Sequence, residues 1–152
     1  EEAFRVILPH LRRLKELGGD TLVECTPRYL GRDVRLLQRL SRESGVHLIT
    51  NTGVYGAGGL KYLPSRRRDG ALPEEEWKRE FLDECRGLDG TPVLPGAIKL
   101  GADDAPLPEV LRKVLRAAGA VAEEKNLPIL HHSGNGRAAL AAMEELKGRK
   151  AR

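Results

Sequence analysis

The sequence predicts an α/β fold built around a parallel sheet, in a single domain. Four β-type runs alternate with helical segments, so that about 15 residues separate successive strands, a spacing typical of right-handed β-α-β units. The chain has 152 residues, of which 40% are hydrophobic, enough to bury a substantial core. A closed eight-stranded barrel needs about 250 residues, so the pattern fits either a small open sheet or part of a barrel.

The predicted strands are short β-type runs, most of which end at a turn-forming residue. They are Thr21–Thr26, Val46–Thr52, Pro95–Leu100 and Pro128–His132. Pro27 ends the first run, Gly53 ends the second, and a turn at Ser133–Gly136 follows the last. A longer loop, residues 55–72, separates the second strand from the helix that precedes the third.

Start signals place the helices around these strands. Proline costs no hydrogen bond in a first helical turn, so Pro9, Pro73 and Pro108 mark three helix starts. Asp33 is the predicted N-cap of a further helix, and Arg137 begins the last. Apolar residues at helical spacing predict the buried faces. They include Leu11, Leu14, Leu17, Val34, Leu37, Leu40, Trp77, Phe81, Leu111, Val114, Leu115 and Val121.

Composition and charge argue against several classes of protein. The net charge is +4, but the basic clusters at Arg66–Arg68 and in the tail from Lys147 to Arg152 lack interleaved aromatic residues, so no nucleic-acid partner is expected. No apolar run approaches the ~20 residues of a membrane helix, and the first residues lack a signal-peptide pattern. Cys25 and Cys85 are too few for a disulfide framework, which predicts a cytoplasmic location.

Functional residues in such sheets lie at the carboxyl ends of the strands. The candidates there are Glu24, Cys25, Thr26, Thr50, Thr52, Lys99, His131 and His132. Strand alternation places Lys99 on the face opposite Ile98 and Leu100, which is the functional side if these two face the helices. A buried ammonium there is costly unless it is paired or chemically changed. A lysine that extends to solvent from the strand end is the alternative.

The two adjacent histidines point to opposite faces of their strand, so they are not expected to bind one metal ion together. The one on the side of Lys99 is a candidate ligand; two hydrogen-bonded histidines without a metal are the alternative. His10 and His47 lie at the wrong end for this site. Gly56–Gly59 and Ser133–Gly136 are candidate phosphate cradles, the second before a helix N-terminus, but neither matches a known phosphate-loop motif and plain turns are the alternative.

Five stretches together resemble one family in order and spacing, over residues 3–146. They are Gly19–Glu24, Leu30–Asp33, Asn51–Tyr55, Gly96–Leu100 and Pro128–Gly136. They are similar to the phosphotriesterase-like family, the phosphotriesterase and lactonase group of the amidohydrolase superfamily. This resemblance implies a partial TIM (β/α)8 barrel over residues 1–152, comprising about strands two to five with their helices.

The resemblance also implies a centre of two divalent metal ions, of the zinc type, at the carboxyl ends of the strands. Lys99 matches the carboxylated lysine that bridges the metals, and His132 matches the fifth-strand ligand. A carbamate on Lys99 would remove its positive charge and supply two anionic oxygens. Tyr55 matches a position near the metals in lactonases, which implies substrate contact. The family's ligands on strands one, six and eight have no counterpart in this sequence.

The implied function is metal-dependent hydrolysis, in which an activated hydroxide attacks a small-molecule ester, lactone or phosphotriester, with a site that is incomplete in this chain. Two alternatives remain. The first is a non-catalytic half-barrel whose unpaired strand edges, at Leu22–Thr26 and Ile129–His132, pair with a second copy to form a homodimer. The second is a small α/β phosphate-binding domain that uses Ser133–Gly136.

Overall fold

The computed structural model describes residues 1–147, in which helices and strands alternate as predicted. The helices are α1 (Glu2–Glu16), α2 (Val34–Ser44), α3 (Glu74–Glu84), α4 (Glu109–Lys125) and α5 (Gly136–Lys147). The strands are β1 (Thr21–Val23), β2 (His47–Ile49), β3 (Asn51–Thr52), β4 (Ala97–Ala102) and β5 (Ile129–Ser133). None of the helices within residues 1–147 has the length and apolar character needed to cross a bilayer.

All the strand pairs are parallel, which confirms the predicted sheet type. β1 pairs with β2, β3 pairs with β4, and β4 pairs with β5. The prediction of one regular strand over Val46–Thr52 is wrong, because this stretch divides at Thr50 into β2 and β3. Its first half bonds to β1 and its second half to β4, a staggered pairing that suits a sheet curling around an axis.

The helices cover one face of the sheet. Ile98 and Leu100 of β4 are 0% and 1% exposed and lie in the main core with side chains of α3 and α4. A smaller core cluster joins α1 to α2 and includes Phe4, Leu8, Leu11, Leu40 and Val46. The opposite face is more open, since Val23 of β1 is 43% exposed and Ile49 of β2 is 36% exposed.

The start of α1 corrects the prediction that Pro9 lies in the first turn. The helix begins at Glu2 and contains Pro9 in its interior. Phe4, Leu8 and Leu11 form one buried stripe across the proline, so packing stabilises the helix on both sides of it. Pro9 lies on the exposed side, where the helical hydrogen bond that it cannot donate is least costly.

The prediction that Leu17 is buried is wrong, since it follows the end of α1 and is 68% exposed. The other helix signals and the later strands agree more closely with prediction. The Asp33 carboxylate accepts a hydrogen bond from the Leu36 N–H at 2.9 Å and caps α2. β4 extends two residues past the predicted end at Leu100, because Gly101 and Ala102 pair with the carboxyl end of β5. Weak strand propensity of glycine and alanine hid this extension in the sequence.

The basic cluster Arg66–Arg68 is not simply solvated. Arg67 forms an ion pair with Glu80 of α3, and its guanidinium lies 5.0 Å from the Trp77 ring centroid. Arg68 donates a hydrogen bond to the Leu63 carbonyl at 2.7 Å. The Arg67 contacts join the long loop to α3, whereas the Arg68 bond lies within the loop. The predicted basic tail after Lys147 lies outside the described residues.

Candidate active site

Strands β4 and β5 present Lys99 and His132 on the same face of the sheet. The register sets Lys99 opposite Leu130 and Gly101 opposite His132. Residues two apart on a strand share a face, so all four lie on the side away from the main core. The structure therefore places Lys99 on the predicted side, and it selects His132 as the histidine that shares this side.

Lys99 is half-buried, and its Nζ donates a hydrogen bond to the Leu100 carbonyl at 3.1 Å. No carboxylate within residues 1–147 forms an ion pair with this ammonium. Burial lowers the pKa of Lys99, and the nearby Cys25 thiol opposes that effect. A lowered pKa increases the fraction of neutral amine, which is the form that can react with carbon dioxide.

The Tyr55 ring lies against both of these residues. Its centroid is 5.6 Å from the His132 ring centroid, and the Lys99 Nζ is 5.7 Å from the Tyr55 centroid. Gly101 makes this position available, since a Cβ there would be 2.8 Å from Cε2 of Tyr55. The structure thus brings Tyr55, Lys99 and His132 together, although the loop that carries Tyr55 precedes β4 by a whole helix.

Other residues at the strand ends have local roles. The Nδ1 of His131 lies 2.8 Å from the Ser133 hydroxyl, and burial, with the nearby charges of Lys99 and His132, lowers the pKa of His131. Thr52 faces α3 and donates its hydroxyl to Glu84 at 2.5 Å. The Glu24 carboxylate accepts from the Thr26 N–H at 2.8 Å.

The two cysteine thiols are free, Cys25 exposed and Cys85 half-buried. Cys25 is the one near the candidate site, through its electrostatic interaction with Lys99. His10 and His47 are both exposed, on α1 and at the start of β2, away from the carboxyl end of the sheet, as predicted.

Sequence reasoning missed two residues beside the site. Asn51 is 0% exposed, and its Nδ2 donates to the Glu24 carbonyl at 2.9 Å, which ties β3 to the end of β1. Asp103 accepts hydrogen bonds from the N–H groups of Gly58 and Gly59. The predicted end of the third strand at Leu100 puts Asp103 in a loop. The observed end of β4 at Ala102 puts Asp103 directly after the strand.

In each candidate phosphate cradle, at least one backbone amide already donates a hydrogen bond within the protein. The N–H groups of Gly58 and Gly59 donate to Asp103. In the second turn, Gly134 donates to the Ala102 carbonyl at 3.0 Å. The Asn135 side chain accepts from the Ala138 N–H at 2.9 Å and so caps α5. A phosphate at either turn would have to displace these bonds.

The donor chemistry of Lys99 and His132 fits part of a metal centre. A carbamate oxygen and an imidazole nitrogen are ligands that zinc accepts, and both side chains lie on the more open face of the sheet. Within residues 1–147, no cluster of three or more His, Cys, Asp or Glu side chains could hold a metal ion. The described residues would therefore supply two ligands of such a centre, and a complete centre would need others.

Comparison with known proteins agrees with this fold. The model of the phosphotriesterase family matches residues 1–148. The chain is 28% identical over 134 residues to the aryldialkylphosphatase of Saccharolobus solfataricus, covering 88% of this chain and 41% of that protein. It is 33% identical over 129 residues to the human N-acetyltaurine hydrolase, covering 84% of this chain and 36% of that protein.

A solved structure extends the comparison to three dimensions. The phosphotriesterase homology protein from Escherichia coli, solved with phosphate in its active site, matches with a TM-score of 0.85 and 25% identity. The match covers 97% of this chain and 49% of that one, so the chain spans half or less of these relatives' lengths. That protein is a TIM barrel, which confirms the predicted partial barrel. By the family match and the shared fold, this chain belongs to the phosphotriesterase family.

Proposed function

We propose that this chain is the part of a metal-dependent hydrolase that carries Lys99, His132 and Tyr55. Its substrate class is a small ester, lactone or phosphotriester. The observation that carries the proposal is the position of Lys99 and His132 on one face of adjacent strands, with the Tyr55 ring against both. The names of the relatives, an aryldialkylphosphatase and an N-acetyltaurine hydrolase, support hydrolysis as the reaction class.

Lys99 and His132 would hold two divalent ions, of the zinc type, together with ligands from outside the described residues. Such ions lower the pKa of a water molecule and polarise the acceptor oxygen of a substrate. For this role the neutral amine of Lys99 adds to carbon dioxide: a C–N bond forms, one proton leaves, and a carbamate remains. The carbamate would replace a costly half-buried cation with an anion, which suits a ligand of divalent metal ions.

Tyr55 would border the substrate. Its ring lies over β4, close to Lys99 and to His132 of the adjacent β5. It can therefore contact the apolar part of a bound ester and exclude water from that side. Since an aromatic ring supplies a large contact area with little loss of side-chain entropy, Tyr55 is expected to influence which substrates bind more than how fast they react.

Metal content tests this proposal. The full encoded protein, purified without chelators, is expected to contain two transition-metal ions per chain by elemental analysis. Lys99→Ala and His132→Ala are expected to lose metal and the hydrolysis of aryl phosphotriesters or lactones. His47→Ala, which removes an exposed histidine away from this site, is the matched control. A folded, metal-free wild-type protein would contradict the proposal.

A second candidate function is self-association as a half-barrel. Neither β1 nor β5 has a partner strand on its outer edge within residues 1–147. Apolar side chains lie near these edges: Leu22 is 40% exposed on β1, while Leu140 and Met143 on α5 are 64% and 55% exposed. Two copies about a common axis would set each β1 beside the partner's β5 and close a barrel. Light scattering that finds only monomers would contradict this candidate.

A further inference from the structure

The carboxylate of Asp103 holds two neighbouring backbone amides in the loop after β3. Its Oδ1 accepts the Gly58 N–H at 2.9 Å, and its Oδ2 accepts the Gly59 N–H at 3.0 Å. Both glycines have positive φ, 73° and 64°, and successive N–H groups in such turns can face one anion. Hydrogen bonds to a charged acceptor are stronger than neutral ones, and these two lower the pKa of Asp103.

Asp103 is itself fixed to the two strands that carry the candidate site. It directly follows β4, and the Gly134 N–H at the end of β5 donates to the Ala102 carbonyl at 3.0 Å. A Cβ at Gly134 would collide with the Asp103 carbonyl oxygen, so the two strand ends lie in close contact. The Asp103 backbone is therefore held close to the ends of the strands that carry Lys99 and His132.

The amides that Asp103 holds lie between two aromatic residues that pack on each other. Tyr55 precedes them and Tyr62 follows them, and the two ring centroids are 5.8 Å apart. A Cβ at Gly58 would be 3.1 Å from Cε2 of Tyr62, so this glycine lies directly against the Tyr62 ring. A bond that fixes Gly58 and Gly59 consequently fixes the short loop from Tyr55 to Tyr62.

We propose that Asp103 is a positioning residue, which holds the Tyr55 ring over Lys99 and His132. The link to substrate binding rests on the proposed function, whereas the contact between Asp103 and the loop does not. Without the carboxylate, the ring leaves its position for part of the time. Contacts that Tyr55 makes equally with bound substrate and transition state are then weakened, which raises KM and leaves kcat nearly unchanged.

Hydrogen exchange tests the contact between Asp103 and the loop. Asp103→Asn keeps the side-chain shape but removes the charge and one acceptor oxygen. Asp104→Asn is the matched control, because the neighbouring carboxylate bonds instead to Arg137, at 2.7 Å. In the full encoded protein, exchange of the Gly58 and Gly59 amides is expected to be about tenfold faster in Asp103→Asn alone. Equal exchange in both variants and the wild type would overturn the proposal.

The NMR resonances of the His132 ring protons test whether Asp103 acts through Tyr55. The Tyr55 ring current shifts these resonances, so Tyr55→Leu and Asp103→Asn are both expected to move them in the same direction. Adding Asp103→Asn to the Tyr55→Leu variant is expected to cause a much smaller shift, because the ring is already absent and only the direct electrostatic effect of Asp103 on His132 remains. A shift as large in the Tyr55→Leu background as in the wild type would show that the whole effect is electrostatic and would overturn the positioning role.

Kinetics separates this proposal from the proposed function. If the wild-type protein hydrolyses an ester, lactone or phosphotriester, the rise in KM caused by Asp103→Asn is expected to vanish in the Tyr55→Leu background. A rise that remains there would overturn action through Tyr55. If the folded wild-type protein hydrolyses none of them, the proposed function fails, while hydrogen exchange and the His132 resonances still decide the role of Asp103.

Discussion

Arg32 and Glu84 form a buried ion pair, with 2.5 Å between Nη2 and Oε1 and side chains 1% and 7% exposed. It joins the loop before α2 to the end of α3. Arg32 also donates to the Asn51 carbonyl at 2.7 Å and lies 2.8 Å from the Asp89 carboxylate. Burial alone would lower the pKa of Arg32, but the bonds to Asp89 and Glu84 outweigh it and raise that pKa. This network contacts β3 from the face of the sheet that the helices cover, whereas Lys99 lies on the opposite face.

Loss of the arginine is expected to destabilise the fold. Arg32→Met leaves the Glu84 carboxylate buried without its main partner, which costs about 3–5 kcal/mol in the free energy of unfolding. Arg13→Met is the control, because Arg13 pairs with Glu16 at an exposed surface and its loss should cost less than about 1 kcal/mol. Urea unfolding measures both. Similar losses in the two variants would show that the buried pair contributes little.

The acid side of the stability curve is expected to depend on Asp89. Hydrogen bonds from Arg32 lower the pKa of Asp89, and partial burial opposes them. A carboxylate with a lowered folded-state pKa adds stability above its unfolded pKa, and this stability is lost as the pH falls through the folded value. Asp89→Asn should therefore flatten the dependence of unfolding midpoint on pH below about pH 4. Asp83→Asn, at the exposed pair with Arg86, is the control, and curves that run parallel in all three proteins would refute this assignment.

Gly53 directly follows β3 and lies against the backbone of Lys99. Its φ is 108°, and a Cβ there would collide with the Lys99 carbonyl oxygen. Gly31 has a similar φ of 100° with nothing within 4 Å of the corresponding position. Gly31→Ala should cost about 1–2 kcal/mol of backbone strain, and Gly53→Ala about 1–3 kcal/mol more. Thermal unfolding compares the stabilities of the two variants. An equal loss of stability would mean that the Gly53 backbone does not lie tightly against Lys99.

Lys99 is expected to be dispensable for folding. Its half-buried ammonium lacks a carboxylate partner within residues 1–147, and methionine of similar length avoids the cost of desolvating a charge. Lys99→Met should therefore leave the free energy of unfolding of the metal-free protein equal or higher, while the metal content falls. Urea unfolding and elemental analysis on the same sample check both expectations. A loss of stability in the metal-free protein would instead assign Lys99 a structural role.

Much of the local structure was predictable because its signals lie close together in the chain. The Asp33 cap acts on Leu36, three residues away, and alternation around Ile98 and Leu100 predicted the face on which Lys99 lies. The family motifs predicted a partial barrel, which the comparisons confirm. The roles of Lys99 and His132 as ligands, and of Tyr55 in substrate contact, stay predictions.

Tertiary structure decided the features that depend on distant partners. Pro9 lies inside α1 because the buried stripe of that helix continues past it, and Val46–Thr52 divides because its halves bond to different neighbouring strands. Asp103 meets the Gly58 amide across 45 positions of sequence, and the Tyr55 ring reaches His132 over a glycine on β4. Short-range periodicity determines which residues are helical, extended or buried, whereas the curvature of the sheet decides which loops and side chains meet at its carboxyl end.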